Sequence, residues 1–449
     1  MADLTDPERA DSPASPDVAT PALPLLALRD GMPALVDTCE ALDDVVRAVA
    51  AGSGPVALDA ERASGYRYSA RAYLVQLRRE GTGTALIDPM AFDGLADLGA
   101  AIGNAEWILQ AAAQDLPCLR EIGLVPGSLF DTELAARLLG YPRVGLATLV
   151  ETIMGQTMRK EHSAVDWSKR PLPEPWLEYA ALDVEVLIEL RARLVAELEE
   201  SGKAEWAAQE FAHLLNFEPA LRVDPWRRTS GIHRVKGRRS LAAVRELWTV
   251  RDDLARRQDC SPGRLIPDSA IIAASGPLPT TREALLATPG FHGRAARRYA
   301  EQWVGAIRVT KQLPDAELPL LASRVDGPPQ VRTWAERDPV AAARLSIARA
   351  RMGALAEEHG VPVENLLTPD YLRRVLWSPP ATEGDIGAAV AAELTRLGAR
   401  RWQVALTSPV IAEAIATATV KTAVEPPSPE DPGPGPGPGE GPSPGPRPA

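Results

Sequence analysis

Asp59 and Glu61 stand two apart at the end of the apolar run Val56-Ala-Leu-Asp-Ala-Glu61. Such a run reads as a buried strand, whose period of two places both carboxylates on one side of the sheet. Two acids held together repel, and burial raises their pKa values further, unless a cation sits between them; a divalent metal keeps both ionised. Taken alone, a DxE strand is more often a surface strand with two solvated acids. Two more acids and a phenol accompany this pair: Asp115 after a later strand candidate, and Asp183 on a helix with Tyr179 four residues before it on the same face. Carboxylates converging on two hard cations, with no His cluster and no Walker-type loop, are what two-metal phosphodiester hydrolysis requires. Asp115 also has a plainer role open to it, as a helix N-cap.

The elements that must position these groups form an alternating pattern. ALVDTCEALDDVVRAVAAG, from Ala34, has helical spacing, with Thr38 as its cap and Gly52 as its end. The DxE strand follows, and then RAYLVQLRR and TALIDPM, two strand-like runs separated by EGTG. A short helix is expected over 94–102, and AEWILQAAA reads as the next strand, leading to Asp115. LFDTELAARLLGY and LATLVETIMG read as amphipathic helices, and HSAVDWSKRPLPEPWLEYAALDVEVLIELRARLVAELEE as a Pro-rich turn entering one long helix. Strands alternating with helices predict an α/β domain over 25–218.

The chain then changes character. Over the basic linker 219–240, seven Arg or Lys residues between Arg222 and Arg239 face Asp224 alone. Arg227, Arg228, Arg234, Lys236, Arg238 and Arg239 are therefore candidates for phosphate contact, with a solvated linker as the plainer alternative. From 241 the pattern is all helical, in two units over 241–312 and 332–418 joined by a linker over 313–331. Each unit has a Trp-bearing helix, a Pro-Asp helix start (Pro267-Asp268, Pro369-Asp370) and a closing helix with a Trp (Trp303, Trp402). Residues 1–24 are expected to be a disordered leader and 419–449 a disordered Pro/Gly-rich tail.

Composition narrows the function. A formal charge of -11 over 449 residues leaves nucleic-acid binding to local basic patches. Three scattered cysteines without a CxxC pair fit a reducing compartment and exclude an ordinary zinc site. The start of the chain lacks the basic and apolar regions of a signal peptide, and no run of about 18 apolar residues occurs that would span a bilayer. A cytoplasmic protein without membrane partners is expected.

Four stretches, LDAERASGYRYSARAYLVQL, QDLPCL, LFDTELAARLLGY and DWSKRPLPEPWLEYAALDVEVL, in this order and followed by the helical units, resemble the ribonuclease D family, in the tyrosine subclass of the DEDD exonuclease superfamily. The helical units resemble the HRDC (helicase and RNase D C-terminal) modules of that family. The resemblance implies a ribonuclease H-like mixed-sheet exonuclease domain followed by two small all-α domains. It also implies a 3′→5′ exoribonuclease that releases 5′-nucleotides from RNA 3′ ends, tRNA precursors among them, with no protein partner required. Asp59, Glu61 and Asp183 would hold the first of two divalent ions (Mg2+, with Mn2+ as the alternative). Asp59 would bridge to the second, Asp115 would act on that one through its water shell, and Tyr179 would orient the attacking water. Two departures are Gln110, where the family usually has His, and Trp176, where relatives often carry Gln. The alternatives are a non-catalytic RNA-binding protein on this fold and a 3′→5′ DNA exonuclease; the complete acidic set favours hydrolysis. If the helical half grips the RNA body, a chain cut near residue 218 is expected to keep its chemistry on short single strands; if those helices instead stabilise the catalytic domain by packing against it, the cut chain is expected to aggregate or partly unfold.

Overall fold

The computed structural model describes residues 23–159, 164–321 and 327–418. Residues 1–22 of the leader expected over 1–24, the tail over 419–449 and residues 322–326 of the 313–331 linker lie outside the described residues.

The catalytic half is a six-stranded mixed sheet. β1 (Leu35–Val36), β2 (Ser53–Arg62), β3 (Ala72–Glu80), β4 (Gly83–Ile87), β5 (Glu106–Leu109) and β6 (Ser128–Asp131) lie in the order β1-β4-β3-β2-β5-β6. The β2, β3 and β4 strands form an antiparallel meander, while β5 and β6 extend it parallel to β2. α1 (Cys39–Ala51) precedes β2; the Thr38 hydroxyl accepts from Ala41 N at its start, and Gly52 closes it. α2 (Ala96–Ile102), α3 (Leu116–Glu121), α4 (Thr132–Leu138) and α5 (Leu146–Leu149) follow, and α5 runs into a π-helical turn over Val150–Met154. α6 (Glu174–Glu185) packs on β2, β3 and β4. α7 (Leu187–Glu200) and α8 (Ala204–Leu214) complete this half.

Three expectations are corrected here. LFDTELAARLLGY is not helical throughout: Leu129, Phe130 and Asp131 belong to β6, which is buried along most of its length and pairs parallel to β5. A strand covered on both faces shows no alternation, so its apolar run is ambiguous in sequence. AEWILQAAA stops being a strand at Leu109, because Ala111 takes a left-handed conformation (φ 57°) that turns the chain into a short 3-10 segment over Ala112–Gln114. The single long helix is two, α6 and α7, interrupted at Val186.

The helical half consists of α9 (Arg238–Gln258), α10 (Asp268–Ser275), α11 (Arg282–Leu286), α12 (Arg294–Arg298) and α13 (Ala300–Gln312). A second unit follows: α14 (Trp334–Arg337), α15 (Pro339–His359), α16 (Val363–Leu366), α17 (Pro369–Trp377), α18 (Ile386–Leu397) and α19 (Arg401–Thr417). The units resemble each other internally but are attached differently. The first has its own core around Trp226, Phe291 and Trp303, and meets the sheet half through polar bonds such as Tyr68 Oη to Asp252 and Ser69 N to Asp259. The second shares one continuous apolar core with the sheet half. Trp402 stacks on Trp206 of α8 at 4.8 Å, and the buried Glu210 carboxylate accepts from Arg400 Nε (2.7 Å) and Trp402 Nε1 (2.9 Å). Lys203 Nζ bridges the Leu138 and Gly360 carbonyls. Gly140 is required beside them, since at φ +82° a Cβ would meet the Gly360 oxygen at 2.5 Å.

Three of the six phosphate-contact candidates of the basic linker are engaged by the chain itself. Arg227 donates to Asp224 and to the Leu320 carbonyl while lying over the Trp226 ring. Arg238 donates to the Leu318 and Pro319 carbonyls, and Arg239 to those of Thr310, Lys311 and Leu313 and to Asp315. These guanidinium groups satisfy carbonyls at the end of α13 and beyond, so their donors are aimed inward. Arg228, Arg234 and Lys236 remain exposed.

Candidate active site

Asp59 and Glu61 point to the face of β2 covered by α6, as period two demands, and α6 brings Asp183 to them. One ligand oxygen from each of Asp59, Glu61 and Asp183 lies within 4.8 Å of the others. Tyr179, one turn before Asp183, hydrogen-bonds the Asp183 carboxylate through its hydroxyl. The approach to α6 is pinned by Arg170, which donates through Nε and Nη2 to both oxygens of Asp88 (2.6 and 2.7 Å) and also to the Tyr73, Trp167 and Lys169 carbonyls. Trp176, at the second departure, packs edge-on against buried Trp167 with ring centres 5.5 Å apart. It therefore belongs to the apolar footing of α6.

Asp115 begins α3, but its side chain caps nothing. It is 4 % exposed and pairs with Arg62 at 3.3 Å, so the helix-cap alternative fails on geometry. Arg62 also reaches Gln114 Oε1 at 3.5 Å. Sequence reading passed over this arginine, although it follows Glu61 directly in the DAER run.

Asp131 was passed over too. Its buried carboxylate accepts from Ala111 N (3.2 Å) and Leu134 N (3.1 Å) through Oδ1 and from Ala112 N (2.8 Å) through Oδ2. It thereby holds the left-handed turn that delivers Asp115. Burial pushes its carboxyl up to about 6 against those three donors. A carboxyl with a folded pKa above its unfolded value binds the extra proton in the native state, so its contribution falls as pH rises from about 4 to 6. Asp131→Asn should flatten that part of the stability profile and turn an NH2 toward Ala112 N–H, at a cost of about 1–3 kcal/mol. Thermal melts across pH 4.5 to 7 check both effects; unchanged stability and slope would remove Asp131 from this role.

Gln110, at the first departure, is also structural. Its Nε2 donates to the Val144 carbonyl at 2.9 Å, and its Oε1 accepts from Thr132 Oγ1. The end of β5 is thus tied to α4 and the next loop through two neutral bonds, neither of which needs a group that takes up a proton.

The electrostatics describe a site built for cations. Burial raises the pKa of Asp59, and that of Glu61 and Asp115 well above the carboxylate range; Glu61 is raised further by Asp59, Asp183 and Asp115, and Asp115 by Asp59. Burial and then Asp59 raise Asp183, against the Tyr179 hydrogen bond. Among the described residues these four acids are offset by the cation of Arg62, which pairs with Asp115, and the formal charge of the group is negative. Gln76 stands directly across from Asp59 on β3, fully buried, with neither amide atom partnered among the described residues. An all-oxygen donor set with excess negative charge and an unpaired amide beside it fits hard divalent ions and their water.

Comparison with known proteins agrees. Residues 33–199 match the 3′-5′ exonuclease family model, 240–307 the HRDC domain and 327–415 the 3′ to 5′ exonuclease C-terminal domain. The chain is 35% identical to ribonuclease D of Acidiphilium cryptum over 298 residues, which is 64% of this chain and 74% of that protein. With ribonuclease D of Escherichia coli it shares 30% identity over 291 residues, 64% and 76% of the two chains. A crystal structure of a protein from Bifidobacterium adolescentis superposes with a TM-score of 0.80 at 39% identity, covering 88% of this chain and all of that one (100%). The Escherichia coli RNase D structure, described as an exoribonuclease involved in structured RNA processing, gives 0.61 at 26% identity, covering 81% and 98%. The exonuclease family works with divalent metal, and among the described residues no helix is long and apolar enough to cross a membrane. The sheet carrying the acids, the helical units behind it and these relatives lead to one assignment: the chain belongs to the ribonuclease D family and is a 3′→5′ exoribonuclease.

Proposed function

We propose that this enzyme trims the 3′ ends of structured RNA precursors, tRNA precursors among them, in the cytoplasm, using two Mg2+ ions. The convergence of Asp59, Glu61 and Asp183, with Tyr179 bonded to Asp183, carries the reading. Asp59, Glu61 and Asp183 would hold the first ion, with Asp59 and Asp115 serving the second. When bound, the ions supply Lewis-acid activation of the attacking water and stabilise the leaving 3′ oxygen. The chain's own part is to hold four carboxylates fixed and close together; burial and mutual repulsion raise their pKa values, and bound cations would keep them charged. Tyr179 is held protonated, its pKa pushed up by burial and then by the charges of Asp183, Glu61 and Asp59, so it orients water by hydrogen bonding and does not act as a base. The cytoplasmic setting is supported by three free cysteines with no disulfide. The tRNA assignment follows the relative whose structure is described as processing structured RNA.

Tyr179→Phe should lower turnover about 10- to 100-fold and leave Mg2+ affinity within about twofold, because the hydroxyl places water and holds no ion. Steady-state kinetics beside titration calorimetry check this; lost metal binding or unchanged kinetics would contradict the role. The function as a whole is tested with a 3′-labelled tRNA precursor, with and without Mg2+, beside a DNA strand of the same sequence. Metal-dependent release of 5′-nucleotides from the RNA supports it. Faster release from the DNA, or none from either, overturns it.

A further inference from the structure

Besides Arg228 and Arg234 of the basic linker, exposed arginines stand together in the first helical unit. Between the end of α9 and α12, the first helical unit has an open cleft of about 390 Å3, lined among others by Gln258, Arg264, Arg294, Arg298 and Tyr299. Arg264, Arg294 and Arg298 are exposed, and none pairs with a carboxylate among the described residues. Nearby acids are engaged elsewhere: Asp252 takes Tyr68 and Arg256, and Asp259 takes Ser69 N and the Tyr73 hydroxyl. Arg298 lies over the Tyr299 ring and Arg264 over the Tyr66 ring, which orients each guanidinium without neutralising it.

The cleft is fixed to the active site by one loop. Arg264 Nε donates to the Gly65 carbonyl (3.2 Å) and Ser261 N to the Tyr66 carbonyl (3.0 Å). The same loop begins where β2 ends, just past Glu61, and also holds the approach to α6: Tyr66 Oη donates to the Ala164 carbonyl and Arg67 Nε to Ser168 Oγ. The carboxylates and the arginines are therefore attached to the same short stretch of backbone.

We propose that this cleft binds the sugar-phosphate backbone of the RNA strand upstream of the nucleotide being removed, with Arg264, Arg294 and Arg298 on the phosphates and Tyr299 beside a base or ribose. The proposal rests on the exoribonuclease assignment and adds where the strand is held. Three uncompensated guanidinium groups with an aromatic edge suit a flexible polyanion, since phosphate contacts give sequence-independent affinity and a ring accepts any base.

The test uses the full-length enzyme and the double variant Arg294→Glu, Arg298→Glu, with Arg294→Gln, Arg298→Gln as a milder pair should the first fold poorly. Binding of a ~20-nucleotide single-stranded RNA is followed by fluorescence anisotropy in EDTA at several salt concentrations. Two lost phosphate contacts should reduce the slope of log affinity against log salt by about 1.4. With Mg2+, KM should rise about tenfold while kcat at saturating RNA stays within about twofold, as for lost uniform binding. Arg228→Glu, Arg234→Glu is the control on the linker. Equal slopes for wild type and the cleft variants, or a reduced slope only in the linker control, overturns the proposal. Absence of RNA hydrolysis by the wild type would instead strike the exoribonuclease assignment, a failure that the metal-free binding data keep separate.

Discussion

Asp59→Asn is expected to lower RNA hydrolysis by at least about 10³-fold while the metal-free protein melts at the same temperature or higher. The size follows from position. Asp59 is at the centre of the acidic group, its charge raising the pKa of Glu61, Asp115 and Asp183 alike. Removing one electrostatic stabiliser from an active site costs about 10²–10³ in rate, and losing a carboxylate that would serve two ions, as proposed for Asp59, costs more. The stability side has the opposite sign, because neutralising one of four crowded, buried carboxylates relieves repulsion and desolvation. Single-turnover kinetics and melts in EDTA give both numbers. A variant with near-normal turnover, or one that melts well below the wild type, would remove Asp59 from the centre of the site.

The second large effect concerns the far end of the chain. A protein cut near residue 218 should aggregate or melt far below the full chain, the outcome expected where the helices pack against the exonuclease domain. The cut would expose Trp206, leave Glu210 without Arg400 and Trp402, and open the core shared by α8, α15 and α19. Trp402→Ala alone should cost roughly 3–5 kcal/mol. Arg400→Met should cost a comparable ~3–5 kcal/mol, because it strands a buried carboxylate, and Arg400→Met with Glu210→Leu should recover most of it. Denaturant titration of the single and double variants checks this. A truncated chain that is monomeric and melts like the full protein would show that the second helical unit is not part of the exonuclease core.

The acids were legible because their chemistry and spacing are local: DxE on a strand and YxxxD on a helix survive any arrangement of the rest. Asp115 was legible only as one of two readings, since an acid after a strand looks equally like a helix cap until Arg62 is seen beside it. Asp131 and Gln110 could not be read at all, because their roles consist of bonds to Ala111, Ala112, Val144 and Thr132 that exist only once β5 and β6 are side by side. β6 itself was hidden by burial on both faces. The contrast between the helical units was hidden because their sequence patterns match; the difference lies in which faces of α15 and α19 meet α8. The basic linker misled for a related reason: charge along a sequence does not reveal that Arg238 and Arg239 turn back to carbonyls after α13.

The central claim is that the carboxylates of Asp59, Glu61, Asp115 and Asp183 form a divalent-metal site. Mg2+-dependent melting of the wild type beside Asp59→Asn tests it without reference to turnover. Binding to the native state alone stabilises it by RT ln(1 + [Mg2+]/Kd), about 2.7 kcal/mol at a hundredfold excess over Kd. The melting temperature of the wild type should rise steadily with Mg2+ while that of Asp59→Asn stays nearly flat. Parallel rises in the two proteins, or none in the wild type up to 20-fold above the Mg2+ concentration that saturates hydrolysis (about 1.8 kcal/mol by the same relation), would contradict the claim.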